Sequence, residues 1–231
     1  MNYAVAPHPI PSLPITGTDQ RFPVHRIYCI GRNYADHARE MGAQVDRAQP
    51  VFFMKPADAI GADSGEVPYP SATADLHHEA EMVVALASGG RDIPVASALE
   101  HVYAYGVGLD LTRRDLQAIA KKNATPWDTA KGFDHSAPVS SLRRVADVGH
   151  PATALLSLSV NGEPRQRADI ADMVFTVAEI IHELSKLYAL AAGDLIFTGT
   201  PAGVAALQPG DRFVVSLEGV ATLEGCILAP R

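Results

Sequence analysis

Two acidic residues, Glu79 and Glu81, have the spacing of paired metal ligands. They lie in a segment with strand character, whose two-residue period puts both side chains on one face with α-carbons about 6.6 Å apart. Two carboxylates this close repel each other unless a positive charge lies between them. Asp110 ends a second apolar run and is a third candidate, with a helix cap as its alternative role. A solvent-exposed strand face is the alternative interpretation of the glutamate pair.

A site made of carboxylates alone would suit a hard cation. Without cysteine, such a set favours Mg²⁺ or Mn²⁺ and leaves octahedral positions for water and a chelating substrate. His77 and His78 directly precede Glu79 and raise zinc as an alternative, because imidazole is a common zinc ligand. The harder cations remain the better match to a carboxylate-dominated site.

His37 and Glu40 are candidates for acid–base chemistry. They stand three residues apart in a short helical stretch, so both side chains face the same way and the carboxylate can orient the imidazole. A general base that activates water needs this arrangement. Exposed ion pairs with the same spacing are common, so an exposed pair is the alternative interpretation of His37 and Glu40.

Further candidates are single cations and a glycine-containing loop. Lys55 and Lys131 are isolated lysines, a type that usually lies on the surface. The segment 198–203 follows an apolar strand, and its glycines would let backbone N–H groups approach an anion, with a structural turn as the alternative. Four further cations indicate a solvated helix face rather than a nucleic-acid patch: Arg113, Arg114, Lys121 and Lys122.

The elements that must position these residues are mostly strands. Val, Ile and aromatic runs ended by glycine or proline predict strands at 24–30, 51–54, 80–87, 101–110, 155–161 and, in the tail, 194–197, 212–215 and 221–223. Helices are predicted after Asn33 as far as Met41, over 112–123 with Thr112 as N-cap, and over 172–188. The pattern predicts an α+β, mainly β fold rather than a regular βαβ array.

Length and composition limit the class of protein. The chain has 231 residues, 47% of them hydrophobic and 19% charged, with a net charge of −7, which argues against disorder and against a broad nucleic-acid or acidic-membrane surface. We find no membrane-spanning stretch and no secretory signal, so we expect a cytoplasmic protein. Residues 1–23 carry five prolines and predict an extended arm or edge hairpin, followed by a single main domain at 24–231.

Six segments together, in this order, resemble the fumarylacetoacetate hydrolase superfamily: residues 28–37, 53–56, 78–81, 108–112, 131–134 and 197–204. The resemblance runs from about residue 24 to the C-terminus. Within the superfamily the chain looks most like the acylpyruvate hydrolase branch. The segment 127–138 is similar to bacterial fumarylpyruvate hydrolases of gentisate degradation.

The resemblance implies a twisted, mixed β-roll of the fumarylacetoacetate hydrolase C-terminal type, usually a homodimer, with one divalent ion, Mg²⁺ or Mn²⁺, per subunit. Glu79, Glu81 and Asp110 match the metal ligands. His37 and Glu40 match a catalytic dyad carried on a lid that orders over the substrate. Other matching residues contact the substrate or lie beside the metal: Lys131, Gln117, Thr200 with Gly199 in its loop, and, as weaker matches, Arg32, Lys55 and Arg114.

The function implied is metal-dependent hydrolysis of a carbon–carbon bond in a 2,4-dioxo acid, with fumarylpyruvate cleaved to fumarate and pyruvate in gentisate catabolism. Oxaloacetate decarboxylation or tautomerisation, and isomerase or decarboxylase chemistry on related dioxo acids, are the enzymatic alternatives. A catalytically silent binding module is the alternative of another class. An intact set of His37, Glu40 and Lys131 argues against that module, because binding alone needs no base.

Overall fold

The computed structural model describes residues 2–42, 46–48 and 50–230. Within them the strands are β1 Ser12–Pro14, β2 Arg21–Pro23, β3 Arg26–Gly31, β4 Val51–Lys55, β5 Glu66–Pro68, β6 Leu76–His77, β7 Ala80–Leu86, β8 Val102–Leu109, β9 Thr112–Arg113, β10 Arg143–Arg144, β11 Leu155–Val160, β12 Glu163–Asp169, β13 Asp194–Phe197, β14 Ala206–Leu207, β15 Arg212–Leu217 and β16 Ala221–Leu228. The α-helices are α1 Ala35–Glu40, α2 Arg114–Asn123, α3 Asp128–Lys131, α4 Val145–Val148 and α5 Val177–Leu187. Short 3₁₀ helices occupy Ala57–Ala59, Val95–His101 and Ile170–Asp172.

The strands form two large mixed sheets and two small ones. The larger sheet has six strands in the order β10-β8-β7-β13-β3-β4. β13 and β3 are parallel, and every other pair of adjacent strands in this sheet is antiparallel. The second has five strands in the order β12-β11-β15-β16-β5. β14, β6 and β9 form a three-stranded sheet, and β1 and β2 pair as an antiparallel hairpin. The α+β, mainly β prediction is confirmed.

The six-stranded sheet is buried on both faces. Alternate residues of β3 enter different hydrophobic clusters, with Tyr28 and Ile30 on one side and Ile27 and Cys29 on the other. The first cluster continues into the five-stranded sheet and α5, and the second continues into the β1–β2 hairpin. Strands buried on both faces explain the nearly continuous apolar runs in the sequence.

Two helices begin later than the sequence predicts. Thr112 is paired in β9 instead of capping α2, and its hydroxyl donates to the carbonyl of Asp110. α5 begins at Val177, where Thr176 and Glu179 form a reciprocal capping box. The predicted boundaries were wrong because hydrophobic spacing continues through the preceding strand or 3₁₀ turn.

The turn between β11 and β12 is built on an Asn-Gly pair. Asn161 and Gly162 both have positive φ, at 54° and 83°, as a type I′ turn requires.

Among the described residues, no helix is both long and apolar enough to cross a bilayer.

Candidate active site

Adjacent antiparallel strands bring the three candidate metal ligands together. Glu79 directly precedes β7, Glu81 lies within it, and Asp110 directly follows β8. Because Glu81 is paired with Gly108, the start of β7 lies beside the end of β8. One carboxylate oxygen from each residue lies within 4.8 Å of the other two. The predicted set therefore converges on one point.

These three carboxylates are buried. Asp110 is 0%, Glu81 2% and Glu79 5% exposed, so the interpretation of a solvent-exposed strand face is wrong. Asp110 does not cap α2 either, since that helix has no side-chain cap. Buried carboxylates need cations or hydrogen-bond donors to remain charged.

Three cations from separate parts of the chain contact this cluster. Nζ of Lys131 lies 2.8 Å from Oε2 of Glu79 and 2.6 Å from Oδ2 of Asp110. Nζ of Lys55 lies 2.9 Å from Oδ1 of Asp110, and Nη2 of Arg114 lies 2.6 Å from Oε1 of Glu79. Lys55 and Lys131 are almost completely buried. The expectation that these lysines and Arg114 are ordinary surface residues was wrong.

The cations act unequally on the two glutamates. Burial acts to raise the pKa of Glu79, but Lys131, Arg114 and His37 outweigh it and lower that pKa. Burial, together with Asp110 and Glu79, raises the pKa of Glu81 well above its usual range. Oε2 of Glu81 accepts only a backbone hydrogen bond, from the N–H of Gly199 at 2.7 Å, among the contacts of the described chain. Glu81 is thus the carboxyl group whose charged form the protein's own cations stabilise least.

The donor set fits a hard divalent ion. It offers carboxylate oxygens alone, buried and close together, and a divalent ion would supply the positive charge that the carboxylate form of Glu81 lacks. The two histidines stand outside it. His77 pairs through Nε2 with Asp75 at 2.9 Å, and Nδ1 of His78 lies 3.0 Å from Oε1 of Gln166. This arrangement does not support the zinc alternative.

The predicted acid–base pair is formed on α1. Nδ1 of His37 lies 3.2 Å from Oε2 of Glu40, and the N–H of Gly203 donates to Oε1 of Glu40 at 3.0 Å. With Nδ1–H donated to Glu40, Nε2 is left as the proton-accepting nitrogen. His37 is 7% exposed whereas Glu40 is exposed, so the imidazole is buried and only its carboxylate partner faces solvent.

One cavity brings His37 of the acid–base pair together with the carboxylate cluster. Most of the predicted site residues line it, and its lining is Ile30, Gly31, Arg32, His37, Met41, Phe53, Glu79, Glu81, Asp110, Arg114, Gln117, Lys121, Trp127, Lys131 and Thr200. Gln117 accepts from Nη1 of Arg114 at 2.6 Å. Lys55 lies behind the lining, where its ammonium also donates to the carbonyls of Leu111 and Lys131.

The loop 198–203 is used mainly to hold the site together. Gly199 has φ +94°, and its N–H donates a hydrogen bond to the carboxylate of Glu81. The hydroxyl of Thr200 donates to the carbonyl of Ala80 at 2.9 Å and accepts from Nε2 of Gln166 at 2.8 Å. Thr200 lines the cavity, whereas the Gly199 N–H is already engaged.

Sequence reasoning missed two buried amides that support the site. Asn33 accepts from the N–H of Phe175 and donates to the carbonyls of Phe175 and Thr198. Gln166 contacts His78, the N–H of Ala80 and Thr200. Their partners are distant in sequence, and no local spacing marks them. Lys121 and Trp127 were also missed as cavity residues, although both lie within ten residues before Lys131 in the chain.

Comparison with known proteins relates the chain to one family. The model of the family described as fumarylacetoacetate hydrolase C-terminal matches residues 26–228. The chain superposes with a TM-score of 0.96 on fumarylpyruvate hydrolase from Pseudomonas aeruginosa in complex with Mn²⁺ and pyruvate, at 47% identity, covering 99% of this chain and 100% of that one. A candidate fumarylpyruvate hydrolase from Burkholderia cenocepacia is 53% identical, with a TM-score of 0.94 and full coverage of both chains.

Curated relatives are similar to this chain over most of their length, but they are named as oxaloacetate tautomerases. The oxaloacetate tautomerase YcgM of Escherichia coli is 41% identical over 199 residues, which cover 86% of this chain and 90% of that protein. The human mitochondrial oxaloacetate tautomerase is 39% identical over 197 residues, which cover 85% and 89% of the two chains.

Proposed function

The chain belongs to the fumarylacetoacetate hydrolase family, and we propose that it is a metal-dependent hydrolase of 2,4-dioxo acids. We propose fumarylpyruvate as the substrate and fumarate and pyruvate as the products, with a role in gentisate catabolism. One observation carries the proposal: His37, the imidazole of the acid–base pair, and the carboxylate cluster line the same cavity. Similarity to fumarylpyruvate hydrolase over the full chain supports the choice of substrate.

Glu79, Glu81 and Asp110 would hold the divalent ion. When bound, an ion at this position supplies Lewis acidity toward a coordinated carbonyl oxygen and stabilises enolate charge. Lys131 stays beside two of the three carboxylates and limits the negative charge that an anionic substrate meets. Arg114 and Gln117 present a guanidinium and an amide at the cavity wall, where they can orient a carboxylate.

His37 would act as the general base. Its Nε2 accepts a proton from water, whose oxygen bonds to C4 of the dioxo acid. Glu40 stabilises the imidazolium that forms, and the Gly203 N–H keeps the Glu40 carboxylate in place. The C3–C4 bond then breaks with its electron pair left on C3. C3 takes up a proton to give pyruvate, and C4 leaves as the new carboxyl group of fumarate.

Oxaloacetate tautomerisation is the second candidate function, favoured by the similarity to curated oxaloacetate tautomerases at 39% and 41% identity. In that reaction His37 would move a proton between C3 and the enol oxygen, and no water would attack. The same carboxylates and the same base would serve both reactions. The difference between them lies in whether an electrophilic carbon at C4 is presented to a water molecule.

The deciding experiment is an assay of purified protein with Mn²⁺ on three substrates: fumarylpyruvate, acetylpyruvate and oxaloacetate. Loss of the dioxo-acid absorbance with stoichiometric release of pyruvate supports the hydrolase. Turnover of oxaloacetate between its keto and enol forms, with no cleavage of either dioxo acid, overturns the hydrolase in favour of the tautomerase. The homodimer remains a prediction, which sedimentation of the same preparation tests.

A further inference from the structure

The mouth of the active-site cavity carries two cations that nothing else explains. Lys121 on α2 and Arg32 after β3 both line the cavity, and neither forms an ion pair with a carboxylate among the described residues. Burial lowers the pKa of Lys121, the nearby Arg114, Arg32 and Lys131 lower it further, and Glu79 acts to raise it. Glu79 is already engaged by Lys131 and Arg114. Positive charge is therefore in excess at this end.

Depth orders the groups along the cavity. Asp110 and Glu81 are fully buried at its base, and His37 is 7% exposed. Arg32 is half-buried and Lys121 is exposed, so these two lie at the opening. A substrate whose pyruvoyl end lies at the carboxylate cluster would extend its other end past His37 toward these cations.

Arg32 is held at this position by an unusual backbone conformation. Its φ of +61° is in the left-handed region, which a residue with a Cβ rarely adopts. The strain is maintained because the chain must turn there from β3 into α1, with Asn33 buried next to it. Strained positions of this kind concentrate at ligand-binding sites.

Aromatic rings form the wall between the base and the mouth. The ring centroids of Phe53 and Trp127 are 5.8 Å apart, and Nζ of Lys121 lies 5.5 Å from the Trp127 centroid. Both rings line the cavity. Flat aromatic faces pack well against a planar, unsaturated carbon chain. The contact with Trp127 also restrains the lysine near the mouth.

We propose that Lys121, together with Arg32, binds a second carboxylate at the far end of the substrate, and that Lys121 determines the preference for dicarboxylic over monocarboxylic dioxo acids. The inference rests on the proposed function, since it assumes that the pyruvoyl end occupies the carboxylate cluster. In fumarylpyruvate the far carboxylate lies three carbons beyond C4, joined through a planar double bond. Acetylpyruvate ends in a methyl group and has nothing for the two cations to hold.

The test compares Lys121→Met with Lys122→Met, Lys121→Arg and the unmodified protein. Lys122 is the matched control, because it is an exposed lysine on the same helix that does not line the cavity. We expect Lys121→Met to lower kcat/KM for fumarylpyruvate about tenfold, mainly through KM, because a charged hydrogen bond to the substrate is lost. The value for acetylpyruvate should stay within about twofold, and Lys121→Arg should restore most of the loss.

A second measurement does not depend on turnover. Fumarate should bind the Mn²⁺-loaded protein more weakly after Lys121→Met, by about the same factor, whereas pyruvate affinity should not change; titration calorimetry measures both. Equal losses for fumarylpyruvate and acetylpyruvate, or no loss for either, would overturn the assignment of Lys121. If the unmodified protein cleaves neither dioxo acid, the proposed function fails, and fumarate affinity still tests whether Lys121 binds a carboxylate.

Discussion

One helical turn separates His37 from Glu40, and Nδ1 of the imidazole lies 3.2 Å from Oε2 of the carboxylate. Glu40 receives the N–H of Gly203 in addition, so the orientation of the base depends on a loop 163 positions away in the chain. The imidazole is therefore held by its partner while Nε2 is available for chemistry.

Replacement of the base tests this relationship directly. We expect His37→Ala to lower kcat about 10² to 10⁴-fold, because proton transfer from water is no longer assisted. Mn²⁺ affinity, measured by calorimetry, should remain within about threefold, since His37 is not one of the clustered carboxylates. Glu40→Gln should have a smaller effect on kcat. An unchanged rate in His37→Ala would remove the residue from the role of base.

Metal dependence should follow Glu81. We expect Glu81→Gln to weaken Mn²⁺ binding more than about 100-fold, because a neutral amide replaces the carboxylate with the least internal compensation. Excess chelator should abolish activity of the unmodified protein, and added Mg²⁺ or Mn²⁺ should restore it. Asp147→Asn, at an exposed surface pair with Arg144, is the control. Full activity in excess chelator would contradict the assignment.

Gly203 is predicted to be intolerant of a side chain. A Cβ there would lie 2.2 Å from the carbonyl oxygen of Arg165, and its φ is +99°. We expect Gly203→Ala to displace the N–H that holds Glu40, which lowers kcat as well as thermal stability. Gly210→Ala is a matched control, because Gly210 has φ +96° with no heavy atom within 4 Å of the added Cβ. Equal effects of the two substitutions on kcat would show that only backbone strain matters.

Lys55 should matter more for folding than for substrate binding. It is 1% exposed and pairs with Asp110 from behind the cavity lining. We expect Lys55→Met to lower the free energy of unfolding by about 3 kcal/mol, since it removes one partner of a buried ion pair. Denaturant unfolding of the metal-free protein measures the change. A loss below about 1 kcal/mol would indicate that Lys131 alone compensates the charge of Asp110.

Much of the fold could be predicted from local pattern. Strand alternation and glycine punctuation located β3, β4, β7 and β8 to within about two residues, because these runs are long and apolar. The start of α2 could not be predicted. Thr112 has the chemistry of an N-cap, but pairing with His77 in a neighbouring strand takes precedence over that local preference.

Local spacing in the chain was enough to identify which residues could do chemistry. The two-residue spacing of Glu79 and Glu81 and the three-residue spacing of His37 and Glu40 follow from strand and helix geometry, so each pair could be recognised locally. The order of the motifs was sufficient to indicate the family. Their types also pointed to a hard cation and a general base.

The burial of these residues and the ion pairs between them depend on contacts between distant parts of the chain. Lys55 and Lys131 resemble surface lysines in sequence, yet both are buried beside Asp110, because strands distant in the chain enclose them. Lys121, assigned in sequence to a solvated helix face, lines the cavity mouth. Burial and long-range pairing depend on the packing of whole sheets, and that packing cannot be inferred from residue type and local spacing.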